Sequence, residues 1–275
     1  MKSKGAGELL KDITIGQYFP GKSAVHKLDP RFKIIITAVF IAMLFTADGF
    51  IALGIGILFL IISFMLSEIP FRLMLKSIKP IVPIIIFTSV LNMIFLDGAP
   101  IFRLGFIKIT AEGIRTSAFM IIRIIALIMG SSLLTYTTSP ITLTDAIERL
   151  LSPLKKIKLP VHELAMMMTI ALRFIPTLIE ETDKIMSAQK ARGADMESGG
   201  LLQRAKALTP ILIPLFVSAF RRAEELAVAM ECRCYQGGDG RTRLRQLHSG
   251  GKDFFALGIS IVFLDIVILI NCLTR

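Results

Sequence analysis

Phe50 to Leu66 reads FIALGIGILFLIISFML, seventeen residues with neither a charge nor a proline. A spanning helix takes about 20 apolar residues, with about 17 to 25 the usual range, so this stretch predicts a membrane helix. Immediately before it lies a second apolar run, Ile34 to Ala47. The two cannot be one helix, because residues 34–66 would reach roughly 50 Å at 1.5 Å per residue. Asp48-Gly49 is the natural reversal between them. On the C-terminal side, Ile81 to Leu96, Ala111 to Leu134 and Phe254 to Leu273 bring the spans to five, the third preceded by Pro80 and carrying Pro83. Small residues at Ala52 and Gly56 would let the second helix approach a neighbour closely.

The whole chain agrees with its most apolar stretch. Of 275 residues 53% are hydrophobic, and counting Gly but not Tyr gives roughly 59%, against about 45 to 50% in ordinary soluble domains. Mean hydropathy is +0.68. The net charge of +11 is carried by a chain in which only 19% of residues are charged. That combination describes a basic membrane protein and argues against a nucleic-acid binder. The 3 Cys cannot build a disulfide framework. The basic N-terminal stretch lacks the short apolar core and small-residue cleavage site of a cleavable signal peptide.

Lys and Arg accumulate in cytoplasmic segments, so their distribution predicts sidedness. Residues 1–33 hold seven, 67–80 hold three and 135–253 hold seventeen, whereas 47–49 hold none, 97–110 hold Arg103 and Lys108, and the tail holds Arg275. The division of 27 against 3 places the N-terminus in the cytoplasm and the C-terminus outside. The expected organisation is a cytoplasmic segment 1–33, four transmembrane helices in 34–134, a cytoplasmic module 135–253 and a last span 254–273. In fold class this is an all-α integral membrane protein of about five transmembrane helices with a module of long amphipathic helices.

Within the module, one helix is expected after Pro160, with Glu180 and Lys184 at i and i+4 on one face, ending in Ala191-Arg192-Gly193. A second runs from about Leu201 to Cys234, contains Pro210 and Pro214, and ends in Cys232-Arg233-Cys234-Tyr235 before Gly237-Gly238-Asp239-Gly240. Its run Ile211 to Phe220 is too short to span alone. Arg192 and Arg233, 41 residues apart, each close a long cytoplasmic helix, where the helix dipole favours positive charge. One such end is a solvated tip; two of similar build suggest a bivalent docking device.

Other patterns carry less chemistry. Gly16-Gln17-Tyr18-Phe19-Pro20-Gly21-Lys22-Ser23 matches the phosphate-loop pattern, but that loop works between a buried strand and a helix N-terminus, and neither is expected here. An N-terminal turn is the expected structure. Cys232 and Cys234 lack the second ligand pair that a four-coordinate metal site needs, and His26, His162 and His248 show no fixed spacing to them, so no metal site is expected. No catalytic triad, metalloprotease motif or paired-carboxylate arrangement is present, which points away from an enzyme. Arg123 and Asp265 sit near the centres of the fourth and fifth spans, where charge is costly and usually faces a partner or a cavity. Antiparallel helices would let them meet.

Three segments together carry a family resemblance. His26-Lys27-Leu28-Asp29-Pro30-Arg31-Phe32-Lys33 is similar to an L-D-P-R-x-K motif; Leu172-Arg173-Phe174-Ile175-Pro176 with Ala188-Gln189-Lys190-Ala191-Arg192-Gly193-Ala194-Asp195 resembles a segment ending in Ala-Arg-Gly; and Ala229-Met230-Glu231-Cys232-Arg233-Cys234-Tyr235 resembles a second such segment. From near residue 15 to the last span, the chain resembles the T component (EcfT type) of energy-coupling-factor transporters, the vitamin and metal importers of prokaryotes. The departure is at the second motif, where Cys232 and Cys234 replace Ala and Gly.

The resemblance implies a non-catalytic subunit in the prokaryotic cell membrane. Ala191, Arg192, Gly193, Cys232, Arg233 and Cys234 would dock two ABC-type ATPases, which hold the ATP and magnesium, while this chain holds no cofactor. A substrate-binding membrane (S) component would receive the motion. The rival expectation is a secondary transporter whose intramembrane site is Arg123 with Asp265; it would normally show internal repeats, and none is found.

Overall fold

The computed structural model describes residues 18–95, 100–104, 107–194, 200–237 and 247–274. Gly16, Gln17, Leu96, Asp195, Gly238-Asp239-Gly240 and Arg275 lie outside them. The described residues fall into two compact units, 18–146 with 247–274 and 147–237.

The first unit holds the apolar helices. α1 (Pro30–Thr46) and α2 (Phe50–Ser67) are separated at Asp48-Gly49, as the length argument required. The third run begins earlier than expected, as α3 (Phe71–Ile78), and continues as α4 (Val82–Phe95) after a 55° bend. Pro80 and Pro83 account for that bend, because a proline ring cannot sit in an unbroken helical ladder. Pro100–Leu104 (β1) and Ile107–Thr110 (β2) form a short antiparallel ribbon leading into α5 (Ala111–Thr137), which Thr110 caps by accepting from the Gly113 N–H at 3.1 Å. The last span is α9 (Gly251–Thr274).

α9 packs on α1 and α2, and α5 packs on α1 to α4. Their shared core contains Phe40, Met43, Leu44, Leu53, Leu60, Phe64, Ala126 and Val267. Ala52 is buried, and a Cβ at Gly56 would lie 2.8 Å from Leu44 Cδ2. The small residues therefore do what their spacing suggested, bringing α2 close to α1. Gly130 of α5 plays the same part beneath the ring of Phe40, which a Cβ there would run into.

Hydrogen bonds fix which helix ends lie together. Asp253 Oδ1 accepts from the Asp29 N–H at 2.8 Å, Lys33 Nζ donates to Thr137 O at 2.9 Å, and the Ser77 and Tyr136 hydroxyls are 2.6 Å apart. The starts of α1 and α9 and the ends of α3 and α5 thus share one end, which belongs to the lysine- and arginine-rich segments. At the opposite end Asn271 donates to Thr46 O.

The second unit begins within α6 (Pro140–Leu151) and continues through a 3-10 turn, Ser152–Ile157. Two 31-residue helices follow, α7 (Val161–Ala191) and α8 (Leu201–Glu231). α7 reaches the length and composition of a span, at the lowest mean hydropathy of the four helices among the described residues that do, 1.3.

Candidate functional site: two arginine-tipped helices

α7 and α8 pack together with antiparallel register. Arg222 Nη2 donates to Glu181 Oε2 at 2.7 Å, and Gln189 Nε2 donates to Pro210 O at 3.4 Å, so positions rising along α7 meet positions falling along α8. The Glu180–Lys184 spacing noted in the sequence yields no ion pair among the described residues; the cross-helix pair of Glu181 with Arg222 is the one that forms. Ile211 and Ser218, seven residues apart, are buried, while Leu212, Phe216, Val217 and Phe220 form an exposed apolar stripe on α8.

Both helices finish in the same motif. At the end of α7, Gly193 N–H donates to Lys190 O at 3.0 Å and Ala194 N–H to Gln189 O at 3.0 Å, with Gly193 at φ +84°. At the end of α8, Cys234 N–H donates to Glu231 O at 2.8 Å and Tyr235 N–H to Met230 O at 3.0 Å, with Cys234 at φ +56°. These paired bonds define a Schellman cap, whose C′ residue takes the left-handed conformation that glycine favours. Arg192 and Arg233 occupy the same position in the two caps, one residue before the left-handed one, and both are exposed. Cys234 therefore reproduces the backbone of Gly193 without being glycine, at the steric cost a Cβ meets in that region. Each arginine lies 11 residues beyond the Glu181–Arg222 contact, or about 16 Å along its helix. Because the helices are antiparallel, the tips project in opposite directions from that contact.

Comparison with known proteins meets this geometry. A family model described as cobalt transport protein, CbiQ, matches residues 21–244. A protein of Clostridium kluyveri called energy-coupling factor transporter transmembrane protein EcfT is 55% identical over 263 residues, covering 95% of this chain and 97% of that one. The chain belongs to the EcfT family of energy-coupling factor transporter transmembrane proteins. Relatives of the same name in Ruminiclostridium cellulolyticum and Bacillus subtilis are 53% and 51% identical, over 96% and 89% of this chain and 98% and 93% of theirs. An EcfT-family chain is a non-catalytic, membrane-embedded transporter subunit.

The intramembrane charges are not brought together. Arg123 donates to Ala47 O, and its guanidinium lies 4.5 Å from the centre of the Phe119 ring; Asp265 is exposed on α9, and no ion pair joins the two among the described residues. Helix register explains why. Asn271 is the α9 residue that reaches the α1–α2 corner where Arg123 ends, and Asp265 lies six residues earlier, about 9 Å down the axis. The rival transporter loses its assembled Arg–Asp site.

The L-D-P-R-x-K motif is a tie between helices. Asp29 caps α1 by accepting from the Arg31 N–H at 2.9 Å, Arg31 Nη2 donates to Asp29 Oδ2 at 2.8 Å and to Leu247 O at 3.2 Å, and Lys33 Nζ donates to His26 O at 3.2 Å and to Thr137 O. Asp253 completes it by accepting from Asp29 N–H and from Gly250 N–H at 2.7 Å. Sequence reasoning missed Asp253; an acidic residue in the first turn of the last span was the available signal.

The phosphate-loop look-alike is a turn in its described part. Ser23 Oγ is 2.7 Å from His26 Nδ1, His26 Nε2 is 2.9 Å from Phe19 O, and among the described residues no helix begins before Pro30. The carbonyl can only accept, so Nε2 carries a proton. Cys232 and Cys234 are exposed free thiols, and no group of three or more His, Cys, Asp or Glu converges on a metal site among the described residues.

Proposed function

We propose that this chain couples ATP hydrolysis in two cytoplasmic ABC-type ATPases to a substrate-binding membrane component, in the uptake of vitamins or other micronutrients. The observation that carries the reading is the pair of matched arginine tips, which give two equivalent attachment points facing opposite ways from one helix crossing. An exposed guanidinium held on a rigid cap suits an acidic groove, because less side-chain and backbone freedom is lost on docking. When the ATPases close, the tips move with them, and the α7–α8 pair carries the motion to the membrane partner. The exposed apolar stripe of α8 suits contact with that partner or with the bilayer surface.

In this reading the lysine-rich end of the span unit is cytoplasmic and the C-terminus lies outside. ATP and magnesium reside in the ATPases, and this chain binds neither. Purification from native membranes tests the proposal. Two ATPases and one substrate-binding protein should accompany each chain; substrate transport by the chain alone in vesicles would overturn it.

A further inference from the structure

Helices α1, α2, α5 and α9 enclose a cavity of about 340 Å³ whose wall is apolar except for Lys33, Thr37, Ser63 and Thr137. Its size falls in the range of small-molecule sites, about 300 to 1,000 Å³. It is not sealed: Ile62, Leu66 and Ile259 in its wall are 41%, 53% and 38% exposed. α2 contributes residues from Phe59 to Leu66 and α9 residues from Ala256 to Phe263, each a rise of about 10 Å. Both stretches lie toward the end where Asp29, Asp253 and Thr137 meet. The cavity is therefore confined to the half of the span nearest the basic end, within the depth of one leaflet's acyl chains, about 15 Å.

Charge at that end is mixed but basic in sum: Asp29 is paired with Arg31, Asp253 accepts from the Asp29 and Gly250 N–H groups, and Glu68 lies two residues after wall residue Leu66, against Lys27, Arg31, Lys33 and Lys252. Lys27, next to wall residue Leu28, and Lys252, one turn before wall residue Ala256, are both exposed. Lys33 lies in the wall itself, with two of its N–H groups used by His26 O and Thr137 O; an ammonium has three. Deeper in the cavity the polar wall groups are the Thr37 and Ser63 hydroxyls, which already donate to Lys33 O and Phe59 O. A chain with an apolar tail and an anionic head would be met at both ends.

We propose that this cavity holds one acyl chain of an anionic phospholipid, with its headgroup at Lys27, Lys252 and the third N–H of Lys33. The site belongs to the span unit alone and does not depend on which partners the tips bind. The test uses the full chain in vesicles containing phosphatidylglycerol with a photoreactive acyl tail, and maps the adducts by mass spectrometry. Adducts should concentrate on Leu133, Leu134 and Ile259 relative to Ile86 and Phe87, exposed positions of α4 outside the cavity. Ser63→Phe, which fills the space, should abolish the enrichment. Excess unlabelled phosphatidylglycerol gives a second readout that needs no variant, lowering the enrichment if the site is saturable. Lys27→Glu with Lys252→Glu should reduce cavity labelling at least about fivefold. Adducts spread evenly over Ile259 and Phe87, or enrichment that neither Ser63→Phe nor competitor lipid reduces, would overturn the site. Equal cavity labelling by a phosphatidylcholine probe would overturn its assignment to an anionic lipid.

Discussion

Cys234 stands at φ +56° where its counterpart Gly193 stands at φ +84°, and the two positions respond oppositely to substitution. A side chain at a left-handed position costs about 1 to 2 kcal/mol, so Gly193→Val should loosen the α7 cap and weaken ATPase retention. Cys234→Gly relieves that cost while adding freedom to the unfolded chain, so it should be neutral to about 1 kcal/mol stabilising, with retention unchanged. Thermal melts and co-purification of the variants check both, and a Cys234→Gly chain that loses its ATPases would mean that the thiol itself makes a contact. The Gly193 stop was legible in sequence because glycine announces a left-handed residue. Cys234 was not, since few side chains adopt that conformation and local sequence gives no sign of it; only the repeat of the motif hinted at it.

At the scale of elements, the tie at the basic end makes the joined helices sensitive to a residue with no place in the family motif. Asp253→Ala would leave the Asp29 and Gly250 N–H groups without their carboxylate, at about 1 to 3 kcal/mol. A lower melting temperature in detergent is expected, with Asp253→Asn recovering part of the loss; an unchanged melt would show that the tie contributes nothing. Gly130→Ala should destabilise by about 1 to 3 kcal/mol through overpacking against Phe40, a loss that Phe40→Leu in the same chain should largely recover. The spans were readable because a bilayer demands long apolar runs and Asp48-Gly49 breaks one. The bend between α3 and α4 could be anticipated only as a proline-marked weakness. The expected approach of Arg123 to Asp265 failed because counting depth along two helices ignores their relative slide, which the Asn271 contact sets. The Glu181–Arg222 pair joins residues 41 apart, and no periodicity within either helix could have picked those partners.

For the whole molecule, the native cysteines report sidedness. Cys272 lies at the far end of α9 from Asp253, and Cys232 and Cys234 lie at the α8 tip, all exposed. In intact cells a membrane-impermeant maleimide should label Cys272 in a chain lacking the other two thiols. It should label Cys232 and Cys234 only after permeabilisation, and the reverse pattern would invert the topology. The docking arrangement itself is tested most directly by counting ATPases on the purified complex. Replacing a charge-paired arginine costs about 2 to 5 kcal/mol, so Arg192→Glu and Arg233→Glu should each weaken one attachment. The double variant should reach the membrane folded, as judged by its melting temperature, and should retain no ATPase, whereas the unaltered chain should retain two. ATPase retained by that folded double variant at the level of the unaltered chain would contradict docking through the two tips.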